Sequence, residues 1–102
     1  MRTKLKVRNM ASKNGNLVPN QFEIYLNNKK YFQSYNTLIA CYDSKGLILD
    51  TYATEYSRTT SNYLRMFTGL YTKELRQKIK NKTIRVKNLN NRDNELINIL
   101  NK

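Results

Sequence analysis

Apolar and basic residues alternate near the start of the chain. Thr3-Lys-Leu-Lys-Val-Arg-Asn puts Leu5 and Val7 on one side and Lys4, Lys6 and Arg8 on the other. A period of two predicts an extended strand, here with one basic face. The pattern returns at Thr83-Ile-Arg-Val-Lys, where Ile84 and Val86 oppose Arg85 and Lys87. Two such strands in one sheet would project Lys4, Lys6, Arg8, Arg85 and Lys87 from a single face. Asn14-Gly-Asn predicts a turn, and Pro19 marks the entry to the next element.

Two hairpins are predicted between these strands. Phe22-Glu-Ile-Tyr-Leu and Tyr31-Phe-Gln-Ser-Tyr are joined through Asn27, Asn28 and Lys29. Thr37-Leu-Ile-Ala-Cys-Tyr is a continuous apolar run suited to a central strand, and Asp43-Ser-Lys-Gly46 turns it into Leu47-Ile-Leu-Asp-Thr. The period then changes to that of a helix: Tyr56, Thr60, Tyr63, Leu64, Phe67 and Leu70 recur three and four residues apart. Ser57 or Thr59 can cap this helix and Gly69 can end it. A second helix, Lys73 to Lys80, turns Leu75 and Ile79 inward and leaves Lys73, Arg76 and Lys80 on one side. A short final helix from Arg92 to Leu100 would place Leu96, Ile97 and Leu100 on one side, for the core or for a second copy. The predicted fold is α+β: a small antiparallel sheet of four to six strands packed by one main helix, with a basic helix and strand near the C-terminus.

Charge sharpens this outline. The chain has 102 residues, 19 Lys and Arg against 7 Asp and Glu, and a formal net charge of +12. The cations concentrate in residues 1–16 and 72–102, whereas every Tyr and Phe lies between Phe22 and Tyr71. A chain of this size forms one domain, with an aromatic core in the middle and basic segments at both ends. No apolar run is long enough for a membrane span or a secretory signal, so a cytoplasmic protein is expected.

Asn14-Gly-Asn-Leu-Val-Pro-Asn-Gln-Phe, Tyr31-Phe-Gln-Ser-Tyr-Asn-Thr-Leu-Ile-Ala, Gly46-Leu-Ile-Leu-Asp and Tyr56-Ser-Arg-Thr-Thr-Ser-Asn-Tyr form a block that resembles a family of short uncharacterised phage and plasmid proteins. The resemblance covers about residues 14–69. It implies a mobile-element origin and carries no chemistry to any position.

Catalysis is not expected. The sequence has no His, the commonest general base, and a single Cys. Cys41 lies in an apolar strand and reads as an inert buried thiol. Asp43, Asp50 and Glu55 could together hold a divalent cation for phosphodiester cleavage, but Asp43 suits a turn and Asp50 a strand end. No metal or cofactor is expected.

The basic residues point to a polyanion instead. Lys4, Lys6, Arg8, Arg58, Arg65, Lys73, Arg76, Lys80, Arg85 and Lys87 are the candidate contacts, because each neutralised phosphate releases counterions without any base being read. The plain alternative is a solvated surface on a Lys-rich chain. Tyr25, Tyr31, Tyr35 and Tyr42 could stack on unpaired bases or simply pack the sheet. Ser57, Arg58, Thr59, Thr60 and Ser61 could cradle a phosphate at a helix start. The expected role is a non-catalytic, mobile-element binding protein acting on nucleic acid. The alternative is a counter-defence inhibitor of anti-CRISPR type, bound to a host nuclease or its guide RNA.

Overall fold

The computed structural model describes residues 5–91, 94, 96 and 97; Lys4 and Leu100 lie outside them. Five strands run in succession: β1 (Leu5–Ala11), β2 (Leu17–Leu26), β3 (Lys29–Ser34), β4 (Thr37–Asp43) and β5 (Gly46–Asp50). They are followed by α1 (Arg58–Thr68), α2 (Thr72–Lys80) and β6 (Arg85–Lys87). The spatial order is the chain order, β1-β2-β3-β4-β5-β6. The fold is α+β, with the basic helix and strand near the C-terminus. One feature of the prediction is corrected: the sheet is mixed, because β6 joins β5 in parallel. The intervening helix pair makes the crossover that a parallel neighbour requires. Among the described residues no helix is long and apolar enough to cross a membrane.

The predicted hairpins form at Asn27 (φ 55°) and at Gly46 (φ 118°). A third connection, Tyr35-Asn36, joins β3 to β4, so that the first five strands form one antiparallel meander. Its sequence carries no Gly or Pro, and Tyr35 adopts φ 55°, a left-handed conformation unusual for a bulky residue. Two contacts hold it there. The Tyr35 N–H donates to the Asn20 carbonyl at 2.6 Å, and Gln33 Nε2 donates to the Tyr35 carbonyl at 2.7 Å.

Register assigns each side chain to a face. The row Arg8, Glu23, Phe32, Ala40, Leu49, Val86 crosses all six strands. Phe32, Ala40 and Leu49 in that row pack with Leu64, Phe67 and Leu75, so this is the helix side. The neighbouring row, Val7, Ile24, Tyr31, Cys41, Ile48, Arg85, faces the other way. There Ile24, Tyr31, Cys41 and Ile48 meet Leu89 and Leu96 of the C-terminal segment in a second core. A bulge at β3–β4 leaves Ile39 unpaired between Leu38 and Ala40. It turns Ile39 and Ala40 both to the helix side while Leu38 and Cys41 face the second core. Apolar cover on both faces explains why Leu38 to Cys41 is apolar without alternation.

Asp50 fastens the second layer to the sheet. Its side chain is 3 % exposed; Oδ1 accepts from the Leu89 N–H at 3.0 Å and from Asn90 Nδ2 at 3.1 Å, and Oδ2 accepts from the Tyr52 N–H at 3.3 Å. Asn90 also pairs with the backbone of Leu38 through both amide atoms. Of the two uses the sequence allowed for Leu96 and Ile97, packing on the core is the one that both make.

Candidate nucleic-acid interface

The helix starts and ends determine which cations are free. At the start of α1, Ser57 Oγ accepts from the Thr60 N–H. Thr60 is buried, and its hydroxyl shares a 2.9 Å hydrogen bond with Ser34 Oγ. Ser57 and Thr60 therefore serve capping and packing, which leaves the proposed phosphate cradle without two of its hydroxyls. Arg58 stands exposed in the first turn with no acid beside it, against the sign of the helix dipole. Gly69 ends α1 at φ 76°. Arg65 stacks its guanidinium 4.8 Å from the Tyr71 ring at the joint between the helices.

The Tyr71 N–H at the start of α2 donates to Glu74 Oε1 at 3.0 Å. The single acid of this helix is thereby used at its N-terminus, where the dipole favours it. Leu75 is buried and Ile79 packs beside it, which turns Lys73, Arg76 and Lys80 outward. Arg76 reaches back to the Thr54 carbonyl at 3.0 Å and ties α2 to the loop that leads into Arg58.

The helix closes in a Schellman arrangement: the Lys82 N–H bonds the Ile79 carbonyl at 3.0 Å, and the Thr83 N–H bonds that of Lys78 at 2.8 Å. The residue at the left-handed position is Lys82, at φ 60°, where Gly is usual because a Cβ is crowded there. Lys82→Gly should raise the unfolding free energy by about 0.5–1 kcal/mol in urea titration; a loss of stability would show that the lysine is not strained.

The cations do not share one face, and this is the main correction to the sequence reading. β1 and β6 are opposite edges of the sheet. Lys6 pairs with Tyr25 and Arg8 with Glu23 on the helix side, whereas Arg85 pairs with Ile48 and Lys87 with Asp50 on the other. Register with β5 turns Ile84 and Val86 to the helices, while register with β2 turns Leu5 and Val7 away from them.

Arg85 is moreover occupied. Its two terminal nitrogens grip both oxygens of Asp43, one of them at 3.1 Å, and the Gly46 carbonyl at 3.2 Å. Arg85 holds the Asp43 carboxyl down at about 2, helped by the Lys45 N–H. Asp43 and Asp50 are thus committed to internal bonds, and among the described residues no three His, Cys, Asp or Glu side chains gather as metal ligands. Burial pushes the Cys41 thiol up to about 11, which keeps it protonated at neutral pH. Lys87 stays exposed and, with Lys29, rims a cleft of about 540 Å³ over Tyr31, Cys41 and Ile48.

Of the tyrosines considered for base stacking, Tyr31 is buried and Tyr42 packs 5.4 Å from Phe67. Tyr25 donates to Glu23 Oε2 at 2.8 Å, and Tyr35 alone of the four is exposed. Sequence reasoning missed Lys82, Tyr52 and Tyr71 as exposed candidates. Lys82 was legible as the residue just past a helix that lacks a terminal Gly; nothing in the sequence marked the two tyrosines. Among the described residues, exposed cations in no ion pair occur along the chain, Lys6, Lys13, Arg58 and Lys87 among them; Lys73, Lys80 and Lys82 are the ones that α2 and its cap bring together.

No curated protein and no solved structure matches this chain. A family model does match, over residues 5–85, from the start of β1 through both helices to the first residue of β6. That span is wider than the block of resembling motifs and takes in the basic face of α2. The chain belongs to a family of unknown function, DUF8033.

Proposed function

We propose that this chain is a non-catalytic binding protein of mobile-element origin that engages the phosphate backbone of nucleic acid through α2 and its C-terminal cap. One observation carries the reading: Lys73, Lys80 and Lys82 are exposed without acidic partners, and local physics disfavours two of them. Lys73 lies in the first turn of α2, at the positive end of the helix dipole. Lys82 occupies a backbone conformation made for Gly. The dipole rationalises Lys78 and Lys80 in the last turn, but neither of these two. Strain and charge kept against local preference are typical of binding positions. Lys73 and Lys80 are about 10 Å apart along the helix axis, a span of about three phosphates of one strand.

Such a surface reads charge and spacing, not sequence. Arg58 and Arg76, linked to the same region through Thr54, add to its potential.

Capture of the tagged protein from bacterial lysate, with and without nuclease treatment, separates this reading from that of an inhibitor bound to a nuclease. The expected result is bound nucleic acid that disappears with nuclease and leaves no stoichiometric protein. One protein retained at equal stoichiometry after nuclease would replace this reading with the inhibitor.

A further inference from the structure

We propose that the outer edge of β1 is a docking strand for an extended segment of another protein in which acidic and apolar residues alternate. β1 is an edge of the sheet. Among the described residues no strand pairs with its outer side, so alternate N–H and C=O groups along it lack ladder partners. Its side chains are sorted by face. Lys6 and Arg8 are exposed on the helix side. On the other side Leu5 and Val7 are 41 % and 50 % exposed, although each pairs with a buried residue of β2, Leu26 and Ile24 respectively. Beside Val7 lies a groove of about 500 Å³ lined by Phe22, Ile24 and Ile97 together with Gln33, Asn36 and Asn90.

A strand added to this edge continues both rows. Acidic side chains then meet Lys6 and Arg8, and apolar ones extend the row of Leu5 and Val7 outward. Backbone bonds supply affinity and the two rows supply selectivity. A second copy of this chain fits poorly, because two-fold antiparallel pairing keeps the helix sides of both copies on one face. Centred on Val7, for example, it sets Lys6 opposite Arg8 twice, and like charges directly opposite are destabilising. Nucleic acid would use the cations but leave the open backbone and the apolar row unsatisfied. The inference is independent of the surface on α2.

The test uses the whole chain and three labelled eight-residue peptides: Glu and Val alternating, Lys and Val alternating, and four Glu followed by four Val. Fluorescence anisotropy reads affinity, and hydrogen exchange reads the amides of β1. The alternating acidic peptide should bind about tenfold tighter than the basic one and tighter than the block peptide, and it should slow exchange in β1. Lys6→Glu with Arg8→Glu should reverse the preference. Lys6→Glu alone, opposite Tyr25 and clear of Glu23, should reduce it if the double variant fails to fold. Unchanged preference in these variants, or binding without slower exchange in β1, would overturn the inference. So would a twelve-nucleotide strand that responds to both substitutions when no peptide binds.

Discussion

Phe32→Ala should lower the unfolding free energy by about 4 kcal/mol, read from urea titrations of the two proteins. Phe32 is fully buried, and its ring lies 5.7 Å from that of Phe67, which in turn meets Tyr42 at 5.4 Å. These three rings join β3 and β4 to α1. Removing the Phe32 ring leaves a void that the paired strands cannot close, because the register from Glu23 through Phe32 to Ala40 is fixed by ladders on both sides. Domains of this size are stable by about 5–15 kcal/mol, so the loss is a large fraction of the whole. Phe32→Leu keeps much of the volume and should cost less than half as much. A loss under about 2 kcal/mol for the alanine variant would mean that the helix layer does not depend on this contact.

Asp50→Ala should cost about 3 kcal/mol and should act on the other side of the sheet. The substitution removes the acceptor for the Leu89 N–H, Asn90 Nδ2 and the Tyr52 N–H. Leu89 is 4 % exposed, so its orphaned N–H has little access to water, and an unmet buried donor costs about 1–3 kcal/mol. Asp50→Asn retains one acceptor oxygen and should lose roughly half as much. Hydrogen exchange at Leu89 localises the effect: it should accelerate in the alanine variant before the amides of β3 do. Equal acceleration throughout would show that Asp50 supports the whole fold and not the second layer alone.

These two residues mark what was and was not legible in the sequence. Phe32 lies in a strand of clear composition, and the apolar spacing of α1 announces the partner at Phe67. Strands, helices, the cap at Ser57 and the stop at Gly69 are all written locally, in residues a few positions apart. Asp50 looked like a polar strand end because its partners are 39 and 40 residues away. The turn at Tyr35 was hidden because a tertiary contact to Asn20, with a local one from Gln33, holds a conformation that the residue itself disfavours.

The expectation of a single basic face across β1 and β6 failed for a related reason. Alternation in β1 and β6 was read correctly, but alternation fixes only which residues share a side within each strand. Which side faces the helices depends on pairing partner and register, and those are long-range facts. Arg85 illustrates the cost of that gap. Its spacing marked it as a surface cation, and the structure commits it to Asp43, 42 residues distant in sequence. α2, by contrast, was readable from its own periodicity, so Lys73, Arg76 and Lys80 emerged on one side as predicted.

The decisive measurement is the affinity of the protein for a labelled twenty-base-pair duplex across a salt series, set beside a variant with Lys73, Lys80 and Lys82 all changed to Glu. Three phosphates neutralised predict a log–log slope of about −2.7 and a loss of about 40-fold in affinity between about 50 and 200 mM salt. The triple variant should keep its fold and lose measurable binding. A salt-independent affinity, or a triple variant that binds as the parent does, would contradict the assignment of this surface to nucleic acid.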